Sequence, residues 1–281
     1  MTPPHRPRLN DDLVGKRYEA TVHEVTAEAI AAYARATNDL NERYLAGSRS
    51  VASPVWPVVP AFGSFMAVAK DPELRADLRR LLHAAEEHVL VRPLRAGDVV
   101  TVDSMLESIE ERGTGQAFTI KSTERDPGGS VVAEVRGTML IRGSGGASST
   151  QERPRGDVLF EGETTVDPDQ MQRYAEASGD RNPIHLDRRA ARLAGLRSPI
   201  LHGMCTMAMA TKAAVDGPAA GDPARIGRVA VSFSRPVLPG QTLTTRLWEL
   251  SSSGGTTTYG FETVDGAGHA VITDGEVDVH T

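Results

Sequence analysis

Two stretches of this 281-residue chain align without a gap at a constant offset of 141 positions. One runs GKRYEATVHEVTAEAIAAYARATNDLNERYL from Gly15, and the other GDVLFEGETTVDPDQMQRYAEASGDRNPIHL from Gly156. Tyr33 falls on Tyr174, Asp39 on Asp180 and Asn41 on Asn182. Further on, VRPLRAGDVVTV (91–102) matches SRPVLPGQTLTT (234–245) at an offset of 143, so short insertions lie between. A repeat this long, present twice, restricts the chain to two copies of one folding unit. Solenoids need shorter periods and more copies. The expected boundaries are 1–141 for the first unit, 142–155 for a linker and 156–281 for the second. The linker is rich in Gly and Ser and has no apolar period.

Each copy has the same plan. In the second, Asp167 and Gln170 bracket a capping box with Pro168 at the first helical position, and Met171, Tyr174, Ala175 and Ser178 follow at helical spacing. Gly179 supplies the stop. Ile30, Tyr33, Ala34 and Thr37 repeat that spacing in the first copy. HGMCTMAMATKAAV (202–215) is small and apolar on nearly every side, which predicts a buried helix. Four strand-like runs come next between Gly-rich turns, beginning at RVAVSFSRPV, QTLTTRLWEL, TTTYGFETV and AVITDGEVDV. One buried helix followed by antiparallel strands is an α+β unit with its sheet curled around the helix.

Charge and composition narrow the function. A formal net charge of −6 argues against nucleic-acid and polybasic membrane-surface partners, which need a positive field. The single cysteine, Cys205, excludes an internal disulfide and a Cys-based zinc site. No motif points to another metal or to a cofactor. The N-terminal stretch lacks the apolar core of a secretory signal, and a cytoplasmic setting is the expectation.

Candidate chemistry gathers in SGDRNPIH (178–185). Gly179 permits a positive φ and Pro183 prevents helix continuation, so a turn can aim Asp180 and His185 at one point. A carboxylate and an imidazole around one water make an acid–base pair, with Asn182 able to orient the water. The alternative is that Asp180 and Asn182 brace the turn. Gly203 opens the buried helix, where an unpaired N–H could meet a ligand oxygen, or where Gly could serve close packing. His202 reads as a packed or turn-bonded residue, and Cys205 as a small core residue. Arg188, Arg189, Arg192 and Arg197 form either an anion-binding group or a solvated helix face.

YAEASGDRNPIHLDRRAA followed by AGLRSPILHGMCT closely resembles the MaoC-like, (R)-specific enoyl-CoA hydratase family. The resemblance rests on G-D-x-N-P-aliphatic-H with H-G opening the central helix, and the repeat extends it to the whole chain as a double hot-dog. It implies that Asp180 and His185 are the catalytic pair, that Asn182 assists and that the Gly203 N–H is the oxyanion donor. It implies as substrates trans-2-enoyl and (3R)-3-hydroxyacyl thioesters of CoA or acyl-carrier protein, with Arg188 and Arg189 available to the carrier. It also suggests a homodimer, since hot-dog sheets commonly pair.

The first copy departs from this pattern. Tyr44 stands where His185 stands, and Pro60-Ala61-Phe62-Gly63 is expected at the place of the Leu-His-Gly sequence. One working site per chain is the consequence, with the first copy shaping the acyl pocket. Two rival functions remain, a thioesterase on the same fold and a non-catalytic acyl-thioester-binding protein.

Overall fold

A computed structural model of the chain describes residues 8–142 and 156–281. The expected linker lies outside the described residues except for Arg142, which ends a strand. The first unit carries β1 (Thr21–Glu24), α1 (Ala27–Ala36), α2 (Val58–Ala69), β2 (Leu81–Leu90), β3 (Val99–Arg112), β4 (Gly115–Arg125) and β5 (Val131–Arg142). The second carries β6 (Phe160–Thr165), α3 (Gln170–Ser178), α4 (Pro183–Leu186), α5 (Arg188–Leu193), α6 (Gly203–Asp216), β7 (Ile226–Phe233), β8 (Thr242–Ser253), β9 (Thr256–Asp265) and β10 (Ala270–His280).

The ten strands of the described residues join one sheet, ordered β1-β3-β4-β5-β2-β7-β10-β9-β8-β6. Its two halves mirror each other and meet at the antiparallel pair β2–β7, with Ala85 opposite Ser232 and Val89 opposite Arg228. This is the double hot-dog architecture. The short polar strands β1 and β6 close the outer edges, which limits their use as templates for further pairing.

The helices explain how the halves lock. α6 is lined by Ala208, Ala210, Ala213 and Ala214, all buried, so the sheet approaches closely. A Cβ on Gly162 of β6 would lie 3.0 Å from the Ala213 Cβ, and glycine there lets strand and helix touch. α1 and α3 pack across the pseudo-twofold, with the Tyr33 and Tyr174 rings 5.6 Å apart. Gln170 caps as expected by accepting from the Asp167 N–H at 3.1 Å, but α3 starts later than the capping box suggested, with Asp169 at the N-cap. The amide of Gln170 is consumed across the interface by the Ala36 carbonyl. One continuous core of buried residues, from Val25 to Val279, draws on both units.

Candidate active site

The loop between α3 and α4 folds as a chain of short turns. Gly179 ends α3 at φ +81°, the left-handed position that stops the helix. Asp180 Oδ1 accepts from the Asn182 N–H at 3.0 Å, and Asn182 Oδ1 accepts from Ile184 N–H at 3.3 Å as the N-cap of α4. Asn182 is therefore engaged in bracing through its oxygen, while its side chain still borders the site cavity. Pro183 begins α4 and carries His185 inward on its single turn.

The ring of His185 has a defined proton arrangement. Nδ1 lies 2.8 Å from the Ile200 carbonyl oxygen, which only accepts, so Nδ1 carries the hydrogen. In the neutral ring Nε2 then holds a lone pair. Burial lowers the His185 pKa below its ordinary value, although Asp180 and the Ile200 carbonyl both act to raise it. His185 is thus a neutral base near pH 7. His202 Nε2 donates to the Asp180 carbonyl at 3.0 Å, and its ring stacks on His185 at 3.8 Å and 25°. Burial, with His185 beside it, takes the His202 pKa down to about 3, so this ring braces without charge. It is the turn-bonded histidine read from the sequence, with the added task of fixing both the Asp180 backbone and the His185 plane.

Asp180, His185 and His202 each offer a ligand atom, all within 4.8 Å of one another. Two rings stacked 3.8 Å apart and tilted by 25° do not aim in-plane lone pairs at one ion about 2 Å from each nitrogen. A water between carboxylate and imidazole suits the arrangement better.

Gly203 is the first residue of α6, ahead of the first helical bond from Thr206 N–H to the His202 carbonyl at 3.1 Å. Its amide belongs to the unpaired first turn, at the positive end of the helix dipole. A Cβ at Gly203 would lie 3.4 Å from the Phe233 ring, so glycine leaves room between the start of α6 and that ring.

Asp180, Asn182, His185, His202 and Gly203 all border one cavity of about 800 Å³. It continues into the first unit between Phe62, Phe65 and Met66 of α2 and Met139 and Leu140 of β5. Arg188 and Arg189 are exposed on α5 and do not border it. Its basic lining comes instead from Lys70, Arg142, Arg181 and Arg235. Arg181 lies inside the motif and Arg235 in the SRP stretch after β7, so both were visible as cations. Their convergence depends on tertiary placement. Cys205 is fully buried, and burial pushes its thiol pKa up, in keeping with a core role.

The corresponding place in the first unit is filled. Tyr44 is 0% exposed, Asp39 5% and Trp56 2%. Asp39 Oδ1 accepts from Asn41 N–H at 3.2 Å and Asn41 Oδ1 from Arg43 N–H at 2.9 Å, the same bracing as in the second unit. Asn41 Nδ2 also donates to the Gly221 carbonyl at 2.9 Å, tying the loop to the turn after α6. The Leu-His-Gly position is not Pro60–Gly63. Ser53-Pro54 matches Ser198-Pro199, which puts Trp56, Pro57 and Val58 opposite Leu201, His202 and Gly203, and both helices start there. The second unit uses four more residues between the loop and this Ser-Pro pair, where it inserts α5, and that insertion shifts the register.

Comparison with known proteins agrees with this division. Residues 149–269 match the family model described as MaoC like domain, and residues 12–135 match FAS1-like, dehydratase domain region. The chain is 35% identical over 207 residues to 3-hydroxyacyl-thioester dehydratase Y of Mycobacterium tuberculosis, covering 69% of this chain and 70% of that protein. It is 27% identical over 256 residues to the peroxisomal multifunctional enzyme type 2 of Drosophila melanogaster, covering 85% of this chain but only 42% of that longer protein. A crystal structure of a MaoC-like dehydratase from Phytophthora capsici superimposes with a TM-score of 0.81 at 26% identity, covering 96% of this chain and 98% of that one.

Proposed function

Because the chain belongs to the family of MaoC-like hydratases and dehydratases, we propose that it adds water reversibly to a trans-2-enoyl thioester, giving the (3R)-3-hydroxyacyl thioester. The observation that supports this most directly is the bond from His185 Nδ1 to the Ile200 carbonyl, which leaves a basic Nε2 in the cluster with Asp180.

In the hydration direction one water sits between Asp180 and His185. Nε2 takes one of its protons while the Asp180 carboxylate accepts a hydrogen bond from the other. The water oxygen forms a bond to the β-carbon, and the π electrons move through the α-carbon to the thioester oxygen. The Gly203 N–H stabilises that enolate oxygen, an interaction worth about 10²–10³ in rate where such donors have been removed. Collapse of the enolate returns the proton from Nε2 to the α-carbon. Hydroxyl and proton arrive from the same face, and dehydration is the reverse path. The acyl chain extends into the first unit between α2 and β5.

Arg181 and Arg235, which border the cavity, are the cations proposed to meet the anionic carrier, CoA or acyl-carrier protein, in place of Arg188 and Arg189 on α5. The sheet pairing that motivates a homodimer is met inside the chain by β2 and β7, and light scattering measures whether a second copy adds to it. A cytoplasmic location is proposed on the single buried Cys205 and is checked by cell fractionation.

The test is loss of enoyl-thioester absorbance with crotonyl-, octenoyl- and dodecenoyl-CoA, followed by chiral analysis of the product. Release of free thiol would replace hydration by hydrolysis, and tight binding without turnover would reduce the protein to an acyl-thioester carrier.

A further inference from the structure

The first unit contributes a polar group to an otherwise apolar stretch of the cavity wall. On β2, His83 Nε2 lies 2.8 Å from Glu86 Oε2, and His88 Nε2 lies 3.1 Å from Glu86 Oε1. Glu86 is 3% exposed and His88 0%, whereas the His83 side chain is 25% exposed, and both His83 and Glu86 border the cavity. The space for the carboxylate is provided by Gly137 of β5. A Cβ there would lie 2.7 Å from Glu86 Oε2 and 2.5 Å from the Phe65 ring.

The bonds fix what this group offers. Burial alone would raise the Glu86 pKa, but the bonds from His83 and His88 hold it below the usual carboxylate value. An ionised Glu86 only accepts, so His83 Nε2 donates to it. His83 Nδ1 forms no hydrogen bond among the described residues and is the ring's remaining polar atom. The His83 ring packs against Phe233 at 4.8 Å, and the Phe233 ring lies 3.4 Å from where a Cβ on Gly203 would sit. One aromatic ring therefore separates His83, on the first unit's β2, from Gly203 at the start of α6, and all three residues border the cavity. A plain alkyl chain passing it would strip water from Nδ1 and give nothing back.

We propose that the preferred substrates are enoyl thioesters with a hydroxyl on the acyl chain beyond C3, and that His83, oriented by Glu86, hydrogen-bonds to it through Nδ1. The inference rests on the hydration reading and names its substrate class. The experiment compares trans-2-octenoyl-CoA with its 5-, 6- and 7-hydroxy analogues, using wild type, His83→Leu and His83→Gln. Wild type should favour at least one hydroxylated chain by about ten-fold in kcat/KM. His83→Leu should bring that ratio to about one, and His83→Gln, which keeps an acceptor, should restore part of it. The ratio does not depend on the folded fraction of a variant. Preference of wild type for the plain chain over all three analogues, or an unchanged ratio in His83→Leu, would overturn the proposal. If no compound is hydrated, the hydration reading fails by itself, and calorimetric binding of the same four thioesters still reports whether the hydroxyl is recognised.

Discussion

The two units carry the same Asp-x-Asn turn with the same internal hydrogen bonds, yet one turn borders a cavity and the other is sealed. The difference lies in the residues C-terminal to the turn. In the second unit His185 reaches the Ile200 carbonyl, and Gly203 leaves the start of α6 uncovered. In the first, Tyr44 fills the imidazole position, and Pro57 and Val58 replace His202 and Gly203, so neither a proton carrier nor a bare amide remains. Bracing and chemistry are separable properties of one loop, and retention of a motif's first residues does not imply retention of its function.

Substitution in the open turn puts this contrast under the greatest strain. Asp180→Asn and His185→Gln should each lower kcat by about 10²–10⁴, the usual worth of a positioned acid–base group, while the near-native size of each substitute preserves folding. Turnover within a few-fold of wild type in either variant would remove that group from the chemistry. The first unit's share of the work can be probed from its wall. Met66 borders the cavity from α2, and Met66→Trp should reduce the dodecenoyl-to-crotonyl ratio of kcat/KM by about ten-fold or more. An unchanged ratio would place the acyl chain elsewhere.

The repeat, the α+β unit, the buried α6 and the four strands β7–β10 were legible in the sequence because glycine punctuation and apolar periodicity are local. β1 and β6 were not, since both are short edge strands with mostly polar side chains and only one covered face. Asp180, His185 and Gly203 were legible as a motif, and the structure brings them to one cavity. The first unit's alignment slipped because four residues are inserted where the repeat is silent, and only the two helix starts restore the register. The His83–Glu86 pair is not legible in the sequence for a related reason. An acid and two histidines in LLHAAEEHVL were visible, but a register shift between His83 and Ala85 breaks the alternation that would have shown which of them point inward.

Acid should weaken the open site's scaffold. The His202 pKa falls from 6.5 to about 3 on folding, so between those values the unfolded chain binds the extra proton. Stability is then complete above pH 6.5 and is lost as pH falls toward 3, with a slope of about 1.4 kcal/mol per pH unit for this group. His185, also lowered, acts in the same direction. Denaturant unfolding of His202→Asn, which keeps a donor for the Asp180 carbonyl, should show a shallower acid branch than wild type. Parallel branches would mean that His202 is already solvated.

The sealed turn should respond in the opposite sense. Burial raises the Asp39 pKa from 3.8 to about 6, with Lys212 only partly offsetting it. A carboxyl raised on folding favours the folded state when protonated, so its contribution declines as pH rises from 3.8 to 6 and is a full penalty at pH 7. Asp39→Asn removes the charge and keeps an oxygen for the Asn41 N–H. It should therefore raise stability by about 1–3 kcal/mol at pH 7, by little or nothing near pH 4, and leave turnover within two-fold. The same substitution at position 180 is expected to lower kcat by about 10²–10⁴. A stability loss at pH 7 in Asp39→Asn would show that the ionised carboxylate holds α6 through Lys212, and that the sealed turn depends on its charge.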